Sequence, residues 1–194
     1  MSHPNIKMFP EPAAVFADKI EEHASLLFPL FSVGLKQINP EWSGSIHMLQ
    51  FNEDPYNRDC VDTFNDYCKD NMIGFDVIDG KYSFKTDFRY FDCTPDWQEW
   101  FEKTKSTFNS TRQRYRETGE LINSFGNPKD GFEQIGGEPE WIQGDATPSD
   151  PDGKPMTFIA RAYTGDYTND SCPKDLYLFY SHEHKLAVII YQIT

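Results

Sequence analysis

Positive charge is scarce in this sequence: 18 Lys and Arg stand against 31 Asp and Glu, a formal net charge of -13 with a sequence pI near 4.7. Such a field repels nucleic acid and anionic membrane, and it attracts basic partners at a rate that salt weakens. Cys-x-x-Cys pairs are also missing. Cys60, Cys68, Cys93 and Cys172 read as reduced packing thiols rather than a disulfide frame, with a zinc site as the alternative. Long apolar runs are absent; LLFPLF and LAVIIY are strand-sized, and the opening MSHPNIKMFPEP has no apolar segment of the signal-peptide kind. Export and membrane insertion are therefore not expected, and a cytoplasmic location is. No Gly-x-Ser-x-Gly, no His-Glu-x-x-His and no cysteine in a nucleophile context appears, so nothing positive points to an enzyme.

Aromatic residues are plentiful. Sixteen Phe, ten Tyr and four Trp offset a mean hydropathy of -0.65, because a few large rings bury much apolar area. At 194 residues the chain can hold one good core or two small half-domains.

Periodicity predicts an amphipathic helix from Pro12 to Leu27, ended by Pro29, then strands over Leu30–Ile38 and Ser45–Phe51. A second helix is expected over Arg58–Asp70, apolar at Val61, Phe64 and Cys68. Asp59, Asp62, Asp66 and Asp70, spaced by three, four and four, would then form an acidic stripe on one helical face. Asp79-Gly80 between alternating runs predicts a hairpin within Ile73–Tyr90. Thr94-Pro95-Asp96 opens the clearest helix, with Trp97, Trp100, Phe101, Phe108 and Tyr115 on its apolar side and Gly119 as its stop. Residues 144–155 can only be a loop; Met156–Tyr163 is a strand, and Asp175–Tyr180 with Leu186–Ile193 closes the chain as a hairpin.

One pattern occurs twice. Pro29-Leu-Phe-Ser-Val-Gly-Leu-Lys, a turn and Gly44-Ser-Ile-His-Met-Leu-Gln-Phe find an echo in Pro155-Met-Thr-Phe-Ile-Ala-Arg-Ala, a turn and Asp175-Leu-Tyr-Leu-Phe-Tyr, 126 positions on. Two half-repeats, about 10–92 and 131–194, joined by the helix over 95–118, would explain it, and chance is the alternative. The fold expected is α+β: a largely antiparallel sheet built from two half-repeats, with roughly three flanking helices.

The densest local grammar lies in Gly131-Phe-Glu-Gln-Ile-Gly-Gly-Glu-Pro-Glu-Trp-Ile-Gln-Gly144. A phosphate cradle needs free N–H groups and a helix start after the glycines; Glu138-Pro139-Glu140 supplies two acids and removes a donor. Gly136, Gly137 and Pro139 fit instead a tight turn that seats Trp141 in the core. His182 and His184 share a strand face and could hold a metal, but no third ligand is in sequence reach, so exposed turn histidines are the plainer reading.

Ile135-Gly-Gly-Glu-Pro-Glu-Trp-Ile-Gln143, then Lys154-Pro-Met-Thr-Phe-Ile159, then Asp175-Leu-Tyr-Leu-Phe179 resembles, in that order, the YwqG-like bacterial domain of unknown function. The match runs from about residue 131 to the end; before that only the half-repeat carries it. The resemblance implies a sheet-rich α+β cytosolic protein without established catalysis, with relatives among immunity proteins encoded beside bacterial toxins. Some relatives have a cysteine pair in the polar loop, whereas this loop reads Pro148-Ser-Asp-Pro-Asp-Gly-Lys154, so no metal site is implied here; Asp175 also stands where many relatives have Gly.

Function is accordingly expected to be non-enzymatic binding, without cofactor or metal. The first expectation is an immunity-type inhibitor of a cognate, basic toxin, such as a nuclease. Asp59, Asp62, Asp66 and Asp70 would bind it, extended by Asp150 and Asp152 and by the loop acids Asp145, Asp166 and Asp170, with Trp42 and Tyr56 as anchors. The alternative is a small-ligand or housekeeping module with an aromatic pocket between the half-repeats; an uncharacterised hydrolase comes third.

Overall fold

The computed structural model describes residues 5–54, 57, 59–123, 125–169 and 172–193; Tyr56, Arg58 and Asp170 lie outside them. The fold is α+β with antiparallel sheets. β1 (Ile6–Met8), β2 (Leu27–Gly34) and β3 (Ser45–Phe51) form a three-stranded sheet in that order. β4 (Met72–Ile78) and β5 (Lys81–Phe84) make the hairpin that Asp79-Gly80 predicts. Both turn residues have positive φ, 50° and 78°, as a two-residue hairpin turn demands. β6 (Leu121–Ile122) and β7 (Pro128–Lys129) form a short ribbon. β8 (Gln134–Ile135), β9 (Thr157–Tyr163), β10 (Lys174–Ser181) and β11 (Leu186–Ile193) join β4 and β5 in a six-stranded sheet of order β5-β4-β11-β10-β9-β8.

The sequence echo has a structural counterpart. β1-β2-β3 and β8-β9-β10 are each three antiparallel neighbours whose middle strand slips register by one residue, at Leu30 and at Ile159. A 3-10 turn leaves each middle strand, Leu35–Gln37 and Thr164–Asp166. Bulge and turn both recur 129 positions on, so Pro29 corresponds to Phe158 and not to Pro155.

The two sheets share a core, with β3 packed across β10 and β11. Phe28 stacks on Phe101 and Phe108 of α3 (Pro95–Thr118), ring centroids 5.7 and 5.1 Å apart, which places the long helix against β2. Tyr177, Phe179, Val188 and Ile190 pack on the other side of the large sheet with Phe158 and Trp141. β10 and β11 are thus covered on both faces, which is why they read as nearly unbroken apolar runs.

Local expectations fail where side chains compete with the backbone. The helix expected over Pro12–Leu27 is two short ones, α1 (Pro12–Val15) and α2 (Ile20–Leu26), separated by Lys19 at φ 40°. Pro29 ends no helix: it lies in β2 beside the bulge, where a missing donor is tolerated. The strand after Gly80 stops at Phe84, and Asp87 caps a 3-10 turn over Phe88–Phe91 by accepting the Arg89 N–H. The helix expected over Arg58–Asp70 does not form among the described residues; only a 3-10 turn, Val61–Thr63, is present. Thr63 Oγ1 donates to the Cys60 carbonyl, and Asn65 Oδ1 accepts the N–H groups of Tyr67 and Cys68, so side chains take the bonds a helix would need.

His47 of β3 is buried between its cross-strand partner Ser32 and the hairpin turn. Its Nε2 faces the Gly80 carbonyl at 2.9 Å, and a carbonyl only accepts; Nε2 therefore carries the proton, and Nδ1 accepts from Ser32 Oγ at 2.8 Å. Burial pushes the ring's pKa down from 6.5 to about 4. The unfolded chain then takes up a proton that the folded chain refuses. The stability from a neutral His47 is complete above pH 6.5 and is lost as pH falls towards 4, a difference of about 3 kcal/mol. Denaturant unfolding across that range is expected to show this slope, and His47→Gln is expected to remove it apart from the contribution of His23, whose pKa burial also lowers.

Candidate ligand pocket between the repeated units

Three polar residues follow β3, and all are buried: Asn52, Glu53 and Asp54. Each holds a different part of the molecule. Glu53 Oε1 accepts the Asn71 N–H at 2.8 Å and the Tyr191 hydroxyl, and Oε2 accepts the Tyr90 hydroxyl at 2.5 Å. Asn71 supplies its N–H from a left-handed turn (φ 59°) just before β4 and donates its side-chain amide to the Tyr191 carbonyl. Burial first, and then the Glu53 charge, push both tyrosine hydroxyls far above their ordinary range, so they remain donors. Asp54 Oδ2 accepts both the N–H and the hydroxyl of Thr94, at 2.8 and 2.6 Å. Thr94 therefore sits at the N-cap position but spends its side chain tethering α3 to β3 instead of capping the helix.

Asn52 faces the second unit. Its Oδ1 lies 3.4 Å from Nζ of Lys174, the buried first residue of β10, and that ammonium sits 4.4 Å from the centroid of the Tyr191 ring. Because Lys174 can only donate, Oδ1 is the amide atom that faces it. Nδ2 is then left buried without a hydrogen-bond partner among the described residues.

Above these groups lies a cavity of about 270 Å³ with mostly apolar walls. Trp97, Phe101 and Thr104 of α3 line one side at i, i+4 and i+7, while Trp100 stands 43% exposed beside them. Tyr191 and Ile193 of β11 line another side, and Cys172 is also in the wall. One repeated unit supplies Asn52, the other supplies Lys174, and the connecting helix covers the gap.

The residues singled out by sequence lie elsewhere. Gly136 and Gly137 have φ of 65° and 79° in a turn that the Gln134 side chain holds through the Gly136 and Glu138 carbonyls and the Glu140 N–H. Pro139 lies within this turn, and Trp141 beyond it is half-buried, stacked on Tyr177 at 4.4 Å on the outer face of the large sheet. Asp59, Asp62, Asp66 and Asp70 are all exposed but share no helical face, since no helix forms there; Asp62 pairs with Arg89 at 3.0 Å. Asp150 and Asp152 come together with His184, their ligand atoms within 4.8 Å of one another. That grouping could hold a metal, but the Lys154 ammonium already lies 3.6 Å from Asp152, so a cation of the chain itself answers part of the loop's charge. Asp166 is buried against Lys129 at 3.1 Å, and Asp145 caps Thr147. Trp42 and His182 stack on each other at 4.9 Å, so neither is a free surface anchor. Among the described residues the cysteines form no disulfide, and no described helix is long and apolar enough to cross a membrane.

Sequence reasoning missed Asn52, Glu53 and Lys174. The available signal was polar residues directly continuing an apolar strand, Leu49-Gln-Phe-Asn-Glu-Asp54. No protein-family model, curated protein or solved structure matches this chain, so the YwqG-like resemblance stands on its motifs alone.

Tyr90→Phe and Tyr191→Phe each strip one donor from a buried carboxylate. Each is expected to cost about 1–3 kcal/mol in denaturant unfolding. Their effects are expected to be non-additive by at least about 0.5 kcal/mol, since both serve Glu53. Independent, additive losses would mean that the clamp is not one unit.

Proposed function

We propose that this chain is a non-enzymatic small-ligand-binding protein of the cytoplasm, and that the cavity between its repeated units is the binding site. The observation that carries this reading is the buried Asn52 amide nitrogen without a partner, beside a buried ammonium, at the base of an aromatic cavity. Few convergent polar groups within apolar walls are what ligand sites commonly offer. Binding is favoured over catalysis because burial and the Glu53 charge hold the Tyr90 and Tyr191 hydroxyls protonated, which leaves neither poised to move a proton. A cytoplasmic setting suits four cysteines that form no disulfide among the described residues.

The net charge of -13 favours a second reading, the immunity-type inhibitor of a basic toxin, although the helical stripe on which that reading stood does not form. Association in that case would run through exposed acids such as Asp62 and Asp66 and would weaken with salt.

A fragment screen by protein NMR separates the two. Hits are expected to converge on the indole resonances of Trp97 and Trp100, and Thr104→Phe, which fills the cavity from α3, is expected to weaken them at least tenfold. Hits scattered over the surface, or unaffected by Thr104→Phe, would contradict the pocket reading.

A further inference from the structure

Asn52 is only 7% exposed, and its Nδ2 carries two N–H bonds that meet no acceptor among the described residues. Donors left dry in this way are unfavourable, and they are answered only by an acceptor from outside the chain. Asn52 lines the cavity under α3, so that acceptor has a place to come from. The Thr104 hydroxyl in the same wall already donates to the Trp100 carbonyl, at 3.0 Å.

The charge of the acceptor follows from its surroundings. Two ionised groups line the same cavity, and their signs are opposite. Glu53 accepts from Asn71, Tyr90 and Tyr191. The Lys174 ammonium faces Asn52 Oδ1 and the Tyr191 ring, and it is engaged further within the chain. Both charges are therefore answered internally, and an ionic ligand of either sign would have one of them against it. Such an ion would leave water for mostly apolar walls without gaining a counter-charge of its own, which is costly. A neutral carbonyl avoids that cost, and its oxygen has two lone pairs to offer the Asn52 amide. Trp97, Phe101 and Ile193 suit a flat apolar body beyond it. At about 270 Å³ the cavity lies just below the usual range for drug-sized ligands, which limits the whole to on the order of ten non-hydrogen atoms.

We infer that the pocket takes a small neutral carbonyl compound with a flat apolar body, its carbonyl oxygen accepting from the Asn52 amide. This rests on the pocket reading above and specifies its ligand.

Acetophenone, benzoate, α-methylbenzylamine and cumene share a phenyl ring and a size but differ in charge and acceptor. NMR titration of the full chain compares them at the Trp97 and Trp100 indoles and at the Asn52 side-chain amide. Acetophenone is expected to bind at least about tenfold more tightly than benzoate or the protonated amine, whose charges find no free counter-ion. It is also expected to move the Asn52 amide protons downfield, which cumene, having no acceptor, does not. Asn52→Leu removes the two donors, and Asn52→Asp removes them while keeping an oxygen for Lys174. In each variant the acetophenone-to-cumene affinity ratio is expected to fall at least about fivefold. Thermal unfolding checks both variants, and the amide shift in the unaltered chain decides if neither folds. Benzoate or the amine binding as tightly as acetophenone overturns the neutral assignment. An unmoved amide or an unchanged ratio overturns the role of Asn52, and the pocket reading survives either result. If none of the four binds while the fragment screen finds hits at Trp97 and Trp100, the carbonyl assignment alone fails; if that screen is empty there too, the pocket reading fails with it.

Discussion

A carboxylate inside an aromatic core is costly unless donors surround it, and Glu53 is surrounded by three from three separate segments: the turn before β4, the 3-10 turn before α3, and β11. That requirement fixes much else. Tyr90 and Asn71 must reach the end of β3, and Tyr191 must arrive there from 138 positions away. With Asn52 meeting Lys174 and Asp54 holding Thr94, three consecutive residues join both repeated units to the helix that links them. The cavity is a consequence: where the units meet through polar groups instead of interdigitating side chains, α3 covers a space it does not fill.

Much of the fold was legible because its causes are local. β3, β10 and β11, the Asp79-Gly80 hairpin and α3 follow from short apolar runs, turn residues and a Pro-started, Gly-stopped helix. The echo in sequence aligns two prolines 126 positions apart, whereas the bulge and the 3-10 turn recur 129 positions apart. Illegible was whatever depended on side chains bonding to the backbone. Asn65 and Thr63 dismantle the helix that the Asp59–Asp70 spacing predicts, while a tertiary contact interrupts the one before β2, where the Ala17 N–H donates to the Tyr82 carbonyl.

The site itself was hidden by abundance. With 31 Asp and Glu in the chain, nothing local distinguishes the buried Glu53 and Asp54 from the exposed Asp62 and Asp66. Spacing drew attention to the acids at the surface, whereas the groups that matter to the pocket meet only through the tertiary fold. The Gly136-Gly137 turn behaves as scaffold: it seats Trp141 on the outer face of the large sheet, away from the Asn52 cavity.

The central claim is that the cavity above Asn52, whose amide nitrogen has no hydrogen-bond partner among the described residues, holds a small ligand. Isotope-filtered NMR on the full chain with the tightest hit of the fragment screen bound tests it most directly. The account predicts cross-relaxation from the hit's protons to the indole protons of Trp97 and Trp100, together with a shift of the Asn52 side-chain amide. Ligand contacts elsewhere on the protein, with the Asn52 amide unmoved, would contradict it.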